Sequence, residues 1–317
     1  MFTVDSHMHV NFMGMSIEDI IGYLDKNNID LCWLLTWEEA NPGRWDYKHL
    51  PIESVYNAYL KYPSRVIPFY APDPHKKTAS LELEDWCRKG IRGCGELKAT
   101  LNWNSDEIKS LLKTIAKLKL PIVFHMEESR SYDIPLSDAI CDKIIFYGLR
   151  TKRKIYIIPK NLLTLLDKNF TPLKNRAKSY FFPGYMLDFA SLESSLRDHP
   201  DINFVAHGLM FWKYISNDAT NCHEVLPKGS INGKGVIWRL LSEYQNLYAD
   251  LSGPSGLNAL TRDEENAKKF LSRFENKVLY GTDNLFKGQR EFLDSLGLAK
   301  SAYDKIYGGN AIRIMGM

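Results

Sequence analysis

The chain has 317 residues, of which 44% are hydrophobic and 25% charged, a composition that supports a large core and excludes disordered, collagen-like and coiled-coil proteins. Lys and Arg number 41 against 38 Asp and Glu, and because these charges are scattered singly, neither nucleic acid nor an anionic membrane surface is indicated as a partner. The five cysteines are widely spaced and no apolar run approaches the roughly 18 residues of a membrane span, so the sequence predicts a cytoplasmic protein.

Short apolar, β-branched or aromatic runs alternate along the chain with segments of helical periodicity, which is the pattern of a parallel sheet. Eight runs predict strands, at 2–7, 29–35, 66–71, 90–97, 121–125, 202–207, 246–251 and 277–281. The remaining periodic segments predict helices, at 16–27, 52–62, 79–89, 105–119, 187–198, 235–244, 263–274, 288–296 and 301–307. Eight regular strand–helix units predict an α/β fold, specifically a (β/α)8 TIM barrel that spans residues 1–317 as a single domain.

One connection in this pattern is much longer than the others. About 75 residues separate the fifth and sixth predicted strands, far more than a loop and one helix need. We therefore predict an insertion over about residues 130–183, which would rise from the carboxyl face of the barrel as a lid or as a contact in a homo-oligomer. The alternative is a helical excursion that only stabilises the barrel.

Histidines and one aspartate mark the ends of predicted strands. His7 and His9 lie two residues apart on the first strand, so both imidazoles project from one face and can bind one divalent ion. His125 and His207 close the fifth and sixth strands and Asp283 closes the eighth, where a barrel gathers its catalytic groups. Imidazoles with a carboxylate suit zinc, or else manganese or iron, better than calcium or magnesium. The alternative for each histidine is a buried ring bonded to the backbone.

Five segments together resemble the amidohydrolase superfamily, specifically its amidohydrolase-related (type 2) branch. They are Asp5-Ser6-His7-Met8-His9, Phe124-His125, Ala206-His207-Gly208, Tyr280-Gly281-Thr282-Asp283-Asn284 and Gly309-Asn310-Ala311-Ile312-Arg313. The resemblance runs from residue 2 to about residue 314 and implies a (β/α)8 barrel. It also implies metal ligands at His7, His9, His125 and Asp283, with His207 either a ligand or a proton-transfer partner.

The resemblance has two departures that bear on the site. The usual His-x-Gly-Gly after strand six is here His207-Gly208-Leu209-Met210, so we expect an altered pocket. On strand four, Gly95-Glu96-Leu97-Lys98 resembles the Gly-Glu of TatD-type deoxyribonucleases, whose glutamate is a metal ligand, whereas other members bridge two metals with a carboxylated lysine. Glu96 and Lys98 share one strand face. We expect Glu96 to be a ligand of one or two ions and Lys98 to bind a substrate anion, and a Glu96–Lys98 ion pair is the alternative.

Further residues near the strand ends are predicted to line the substrate pocket. The substrate-binding candidates, besides Lys98, are Trp37, Tyr70, Trp103 and Asn284. Glu127 and Glu128 follow His125 and are typical of a solvated loop pair. Arg44, Arg130 and Lys287 are weaker candidates for contact with a carboxylate or phosphate.

The leading functional hypothesis is a metal-dependent hydrolase of a C–O or C–N bond in a small molecule, such as a lactone, ester or amide. The metal would lower the pKa of water from about 15.7 towards 7, and Asp283 would pass a proton from that water to the leaving group. His207 would orient the substrate or stabilise the oxyanion.

The hydrolase has three alternatives, of which the decarboxylase is the main one. The same branch includes zinc-dependent non-oxidative decarboxylases of aromatic or enol acids, similar to aminocarboxymuconate-semialdehyde decarboxylase. A single metal with an arginine on the substrate carboxylate would favour that decarboxylase, and Glu96 bound to a second metal would favour the hydrolase. A non-catalytic binding barrel has no need of five convergent metal-binding groups. A phosphoesterase of the polymerase-and-histidinol-phosphatase type requires more His and Asp ligands than this chain offers.

Overall fold

The structure is a computed structural model that describes residues 1–37, 50–135, 177–186, 188–284 and 288–317. Its strands are β1 (Val4–Met8), β2 (Leu31–Leu34), β3 (Val66–Pro68), β4 (Cys94–Leu97), β5 (Ile122–His125), β6 (Arg130–Pro135), β7 (Ala177–Phe182), β8 (Phe204–His207), β9 (Leu247–Asp250) and β10 (Val278–Leu279). All but β6 and β7 are parallel and coincide with the eight predicted strands. The predicted (β/α)8 barrel is therefore confirmed.

Hydrogen bonds between two groups of strands close the barrel. One group has the order β1-β2-β3 and the other has the order β4-β5-β8-β9-β10. Phe69, just after β3, pairs in parallel with Gly93, just before β4. Ser6 N on β1 donates to Tyr280 O after β10 at 2.9 Å. The ring is thus complete, and the carboxyl ends of all eight strands meet at one rim.

Helices cover the outside of the barrel. They are α1 (Ile17–Lys26), α2 (Ile52–Lys61), α3 (Ala79–Arg88), α4 (Asp106–Leu118), α5 (Phe189–Asp198), α6 (Leu209–Lys213), α7 (Val236–Glu243), α8 (Gly253–Thr261), α9 (Glu264–Arg273), α10 (Gln289–Ser295), α11 (Lys300–Asp304) and α12 (Asn310–Ile314). Serines cap the first turns of two of these helices, since Ser16 Oγ accepts from Asp19 N at 3.2 Å and Ser105 Oγ accepts from Ile108 N at 3.3 Å. Within the described ranges, no helix combines the length and apolarity needed to cross a membrane.

Three helices, α6, α8 and α12, were missed in the sequence, and the composition of α6 and α8 explains why those two were. In α6 the four residues from Met210 to Lys213 are all buried, so the segment has no polar face to reveal a helical period. In α8 the first turn contains Gly253 and Pro254, and Gly256 follows, which lowers its intrinsic helix propensity. Tertiary packing rather than local preference therefore determines both helices.

The core has two layers. Inside the barrel, side chains such as Val4, Trp33, Phe69, Val123 and Val205 form one cluster, in which the rings of Trp33 and Phe69 stack at 4.8 Å. A larger cluster fills the space between the strands and the helices. Because apolar groups fill these layers, the buried polar side chains of the strands are concentrated at the carboxyl rim.

A two-stranded antiparallel stem marks the predicted insertion. Strands β6 and β7 pair from Arg130 opposite Phe182 to Pro135 opposite Ala177. Residues 136–176, which make up most of the insertion, lie outside the described residues, as do Arg44 and Lys287. The role of the insertion as a lid or an oligomer contact stays a prediction.

Candidate metal centre

The structure brings all six predicted ligand residues together at the carboxyl rim. Their possible ligand atoms form three overlapping triplets within 4.8 Å, namely His7–His9–Glu96, His7–His207–Asp283 and Glu96–His125–His207. The four histidines and Glu96 are no more than 9% exposed. The Asp283 side chain is 23% exposed and is therefore the member of the group most open to solvent.

When both rings are neutral, His7 and His9 direct unprotonated nitrogens at each other. His9 Nδ1 lies 3.0 Å from Leu35 O, which can only accept, so Nδ1 carries the proton. His7 Nδ1 lies 2.6 Å from the Asp250 carboxylate, and the same reasoning places its proton there. The two Nε2 atoms are 3.1 Å apart, so in the neutral rings their lone pairs converge. A cation between them would relieve this repulsion.

Two carboxylate oxygens lie beside this pair of nitrogens. Glu96 Oε2 is 3.5 Å from both Nε2 atoms, and Asp283 Oδ1 is 3.3 Å from His9 Nε2. Ligand atoms held at about 2.0–2.1 Å around a tetrahedral ion are roughly 3.4 Å apart. The spacing and the chemistry of these four acceptors therefore fit one divalent ion.

Glu96 also faces the other two histidines. Its Oε1 atom is 2.9 Å from His125 Nδ1 and 3.9 Å from His207 Nε2. Burial alone would raise the pKa of this carboxyl, but the charges of Lys98 and His7 hold the pKa well below its usual value. The ionised Glu96 thus lies between two pairs of histidines, with one oxygen towards each pair.

Asp250, at the end of β9, orients two histidines and was not among the sequence candidates. Its Oδ2 atom accepts from His7 Nδ1 and also from Ser252 Oγ, the latter at 2.9 Å. Ser252 Oγ accepts in turn from His207 Nδ1 at 2.8 Å. One carboxylate therefore directs Nε2 of both rings into the site. The sequence did contain a signal, since Asp250 is a lone acid that closes the apolar run Leu-Tyr-Ala.

Burial and neighbouring charges determine the protonation of the group. Burial lowers the pKa of His207 to about 3, and the nearby His7 charge adds to this effect. Burial would raise the pKa of Asp283, but its contact with His9 and the charge of His7 hold it well below the usual value. For His7, burial lowers the pKa but Glu96 and Asp250 raise it well above the usual value. The carboxylates around His7 thus favour positive charge at this position.

Lys98 and Trp37 lie against Glu96 and His9. Lys98 Nζ is 3.0 Å from Glu96 Oε2 and 3.7 Å from the centroid of the Trp37 ring. The Trp37 ring stands edge-on to His9, with the ring centroids 4.5 Å apart. Lys98 therefore forms the ion pair that was the alternative to substrate binding, and its contact with a substrate anion stays a prediction.

The other three predicted pocket residues lie in the packed interior. Trp103 is completely buried among aromatic side chains, and the Tyr70 hydroxyl donates to Glu82 at 3.0 Å. The Asn284 amide accepts from His9 N and donates to His9 O, both at 2.6 Å. Asn284 thus holds the end of β1 in place. None of these contacts gives support to a substrate-binding role for the three residues.

The expectation that Glu127 is solvated was wrong, because the residue is 1% exposed. Its Oε2 atom is 3.1 Å from His125 Nε2 and its Oε1 atom is 2.5 Å from Arg130. Glu128 is 35% exposed and pairs with the buried Lys213 at 2.7 Å. Glu127, Glu128, Arg130 and Lys213 line a cavity of about 270 Å³, which is connected to the metal centre through the contact of Glu127 with His125.

Comparison with known proteins identifies the family. A family model described as amidohydrolase (Amidohydro_2) matches residues 48–317. The chain belongs to this amidohydrolase family. No curated protein matches the sequence significantly.

Several solved structures share the fold of this chain. A probable 2-pyrone-4,6-dicarboxylic acid hydrolase from Acinetobacter baumannii, with citric acid bound, is 13% identical with a TM-score of 0.57, and the match covers 100% of both chains. A 5-carboxyvanillate decarboxylase from Novosphingobium aromaticivorans, complexed with manganese, is 12% identical with a TM-score of 0.56, covering 100% of this chain and 96% of the other. An uncharacterised TIM-barrel protein from Bordetella bronchiseptica is 13% identical with a TM-score of 0.60, covering 100% and 99%. At these identities the likeness shows the fold.

The backbone at Gly208 bears on the altered sequence that follows His207. Its φ angle is +105°, and a Cβ atom there would lie 2.6 Å from Met126 O. Glycine is therefore required for α6 to start directly beside β5. Leu209 and Met210, which replace the usual glycines, begin α6 and line the cavity.

Proposed function

We propose that this protein is a metal-dependent hydrolase of a C–O or C–N bond in a small molecule, such as a lactone, an ester or an amide. The observation that carries the proposal is the position of Glu96, whose two oxygens face two different pairs of histidines. In this position Glu96 would help to hold divalent metal beside either pair of histidines. Zinc is our first choice from the donor set, with manganese or iron as alternatives. Manganese in a solved relative of the same fold supports a divalent cofactor.

The residues of the site have distinct roles in this proposal. A divalent ion would supply Lewis acidity, which polarises a substrate carbonyl and makes water nucleophilic near neutral pH. Asp283 is ionised and is the group most open to solvent, so it takes the proton of the attacking water and returns it to the leaving group. His207 holds its proton on Nδ1, towards Ser252, so Nε2 cannot donate to an oxyanion. We therefore assign His207 to metal binding rather than to oxyanion stabilisation.

A non-oxidative decarboxylase is the second candidate. The cavity beside the histidines favours it, because Arg130 and Lys213 are cations that could bind a substrate carboxylate. Decarboxylases of the same fold are among the solved structures. We rank this candidate second because Arg130 and Lys213 already form ion pairs with Glu127 and Glu128.

An assay for both reactions tests the proposal. A panel of lactones, esters, amides, sugar acids and small aromatic acids would be incubated with the metal-loaded protein, and acid release and CO2 release would be measured in parallel. We expect hydrolysis without CO2, and we expect Glu96→Gln to lower kcat by more than about 100-fold because it removes the shared charged ligand. Glu84→Gln, which loses only a surface ion pair with Lys117, is the matched control. Release of CO2 without hydrolysis would contradict the proposal in favour of the decarboxylase.

A further inference from the structure

We propose that Glu127 is a positioning residue for His125, and that the stem of the insertion holds Glu127 in place through Arg130, Phe182 and Tyr185. This inference deepens the metal-binding part of the proposed function and rests on it. Arg130 and Phe182, where the insertion leaves and rejoins the barrel, would then help to position a metal ligand. From the sequence alone, the insertion was expected only as an addition to the barrel.

The argument starts from the two ring nitrogens of His125, each of which faces a carboxylate. Nδ1 lies 2.9 Å from Glu96 Oε1, on the side of His207, and Nε2 lies 3.1 Å from Glu127 Oε2. In the neutral ring that carries its proton on Nε2, Nε2 donates to Glu127 and Nδ1 has a free lone pair. That lone pair could bind a metal ion together with Glu96 and His207. Histidines that bind metal usually donate their other N–H in this way. Glu127 thus does for His125 what Asp250 does for His7.

Glu127 is itself fixed from two directions. Its second carboxylate oxygen, Oε1, lies 2.5 Å from the Arg130 guanidinium. Its main chain pairs with that of Tyr185, since Glu127 N donates to Tyr185 O at 3.2 Å and Tyr185 N donates to Glu127 O at 2.9 Å. A buried carboxylate with a hydrogen-bonding partner on each oxygen, one of them the charged Arg130, has one orientation available, so the direction of its contact with His125 is set.

The same residues connect His125 to the insertion. Arg130 begins β6 and pairs with Phe182, which ends β7. The Arg130 guanidinium lies 4.9 Å from the centroid of the Phe182 ring, and the Phe182 ring packs edge-on against Tyr185 at 4.8 Å. The Tyr185 ring in turn lies edge-on to His125 at 6.0 Å. Each of Glu127, Arg130, Phe182 and Tyr185 therefore contacts the next, and the first and the last of them contact His125.

The test compares Glu127→Gln with Glu128→Gln. Glu128 is the neighbouring glutamate and pairs with Lys213 rather than with His125, so it is the matched control. We expect Glu127→Gln to weaken binding of a second equivalent of Co²⁺ by about 10- to 100-fold and to change the visible spectrum of the cobalt-loaded protein. Glu127→Asp should restore part of the affinity, because it keeps the charge. Glu128→Gln should leave the Co²⁺ affinity and the spectrum as in the wild type.

Two results would overturn the inference: a Co²⁺ affinity and spectrum unchanged by Glu127→Gln, or equal changes in both variants. If the wild-type protein bound no metal, the proposed function would fail instead, and the inference would be decided on the metal-free protein. There the ¹⁵N chemical shifts of the His125 ring should respond to Glu127→Gln and not to Glu128→Gln. The absence of that response would contradict the contact on which the inference rests.

Discussion

Each histidine of the centre uses one ring nitrogen for a fixed partner and directs the other into a shared space. The partners are Leu35 O for His9, the Asp250 carboxylate for His7, Ser252 for His207 and Glu127 for His125. The sequence could predict the histidines, because they close apolar strands. It could not predict their partners, since Asp250 lies 243 residues from His7 and only the closure of the barrel brings the two together.

The proposed role of Asp283 in proton transfer can be tested with the substitution Asp283→Asn. The amide keeps an oxygen that can face His9 but cannot accept a proton from water, so we expect kcat to fall by about 10²- to 10⁴-fold while most of the metal stays bound. Turnover and metal content should be measured on the same preparation. Asp263→Asn, which changes only the cap of α9, is the control. Unchanged turnover would place the proton transfer on another residue, and loss of the metal would make Asp283 mainly a ligand.

At the scale of elements, strands were predicted more reliably than the connections at the rim. The strands of a parallel barrel are buried on both faces and therefore form continuous apolar runs that are visible in the sequence. The insertion was also visible from strand spacing, and its predicted start and end fall on β6 and β7. The pairing of these two strands was not predicted, because their register depends on residues nearly 50 positions apart and has no local signal.

The insertion can be shortened while the paired residues 130–133 and 179–182 are kept. Asp133 pairs with Ser179, whose hydroxyl donates to it at 2.6 Å, so residues 134–178 can be replaced by an Asn-Gly turn. We expect the barrel to fold and to bind metal as the full chain does, because Arg130 and Phe182 are retained. Circular dichroism, thermal unfolding and metal titration measure this outcome. Global unfolding would mean that the segment belongs to the barrel core, and a change in sedimentation alone would identify it as an oligomer contact.

At the scale of the whole molecule, closure of the barrel is what creates the site. The candidate ligands extend from His7 to Asp283 along the chain, and they meet only because β1 joins the end of β10. The fold and the set of ligand residues were accessible from the sequence, since each strand end carries its own signal. The substrate was not accessible, because the walls of the pocket come from connections whose packing is tertiary, as Trp103 and Tyr70 illustrate by their burial.

The most direct test of the central claim is the metal content of the purified protein, measured together with its hydrolytic rate before and after chelation. The account predicts about two equivalents of a divalent transition metal per chain, loss of activity on removal of the metal, and recovery on addition of zinc, manganese or iron. A preparation free of metal that retained its full hydrolytic rate would contradict the account.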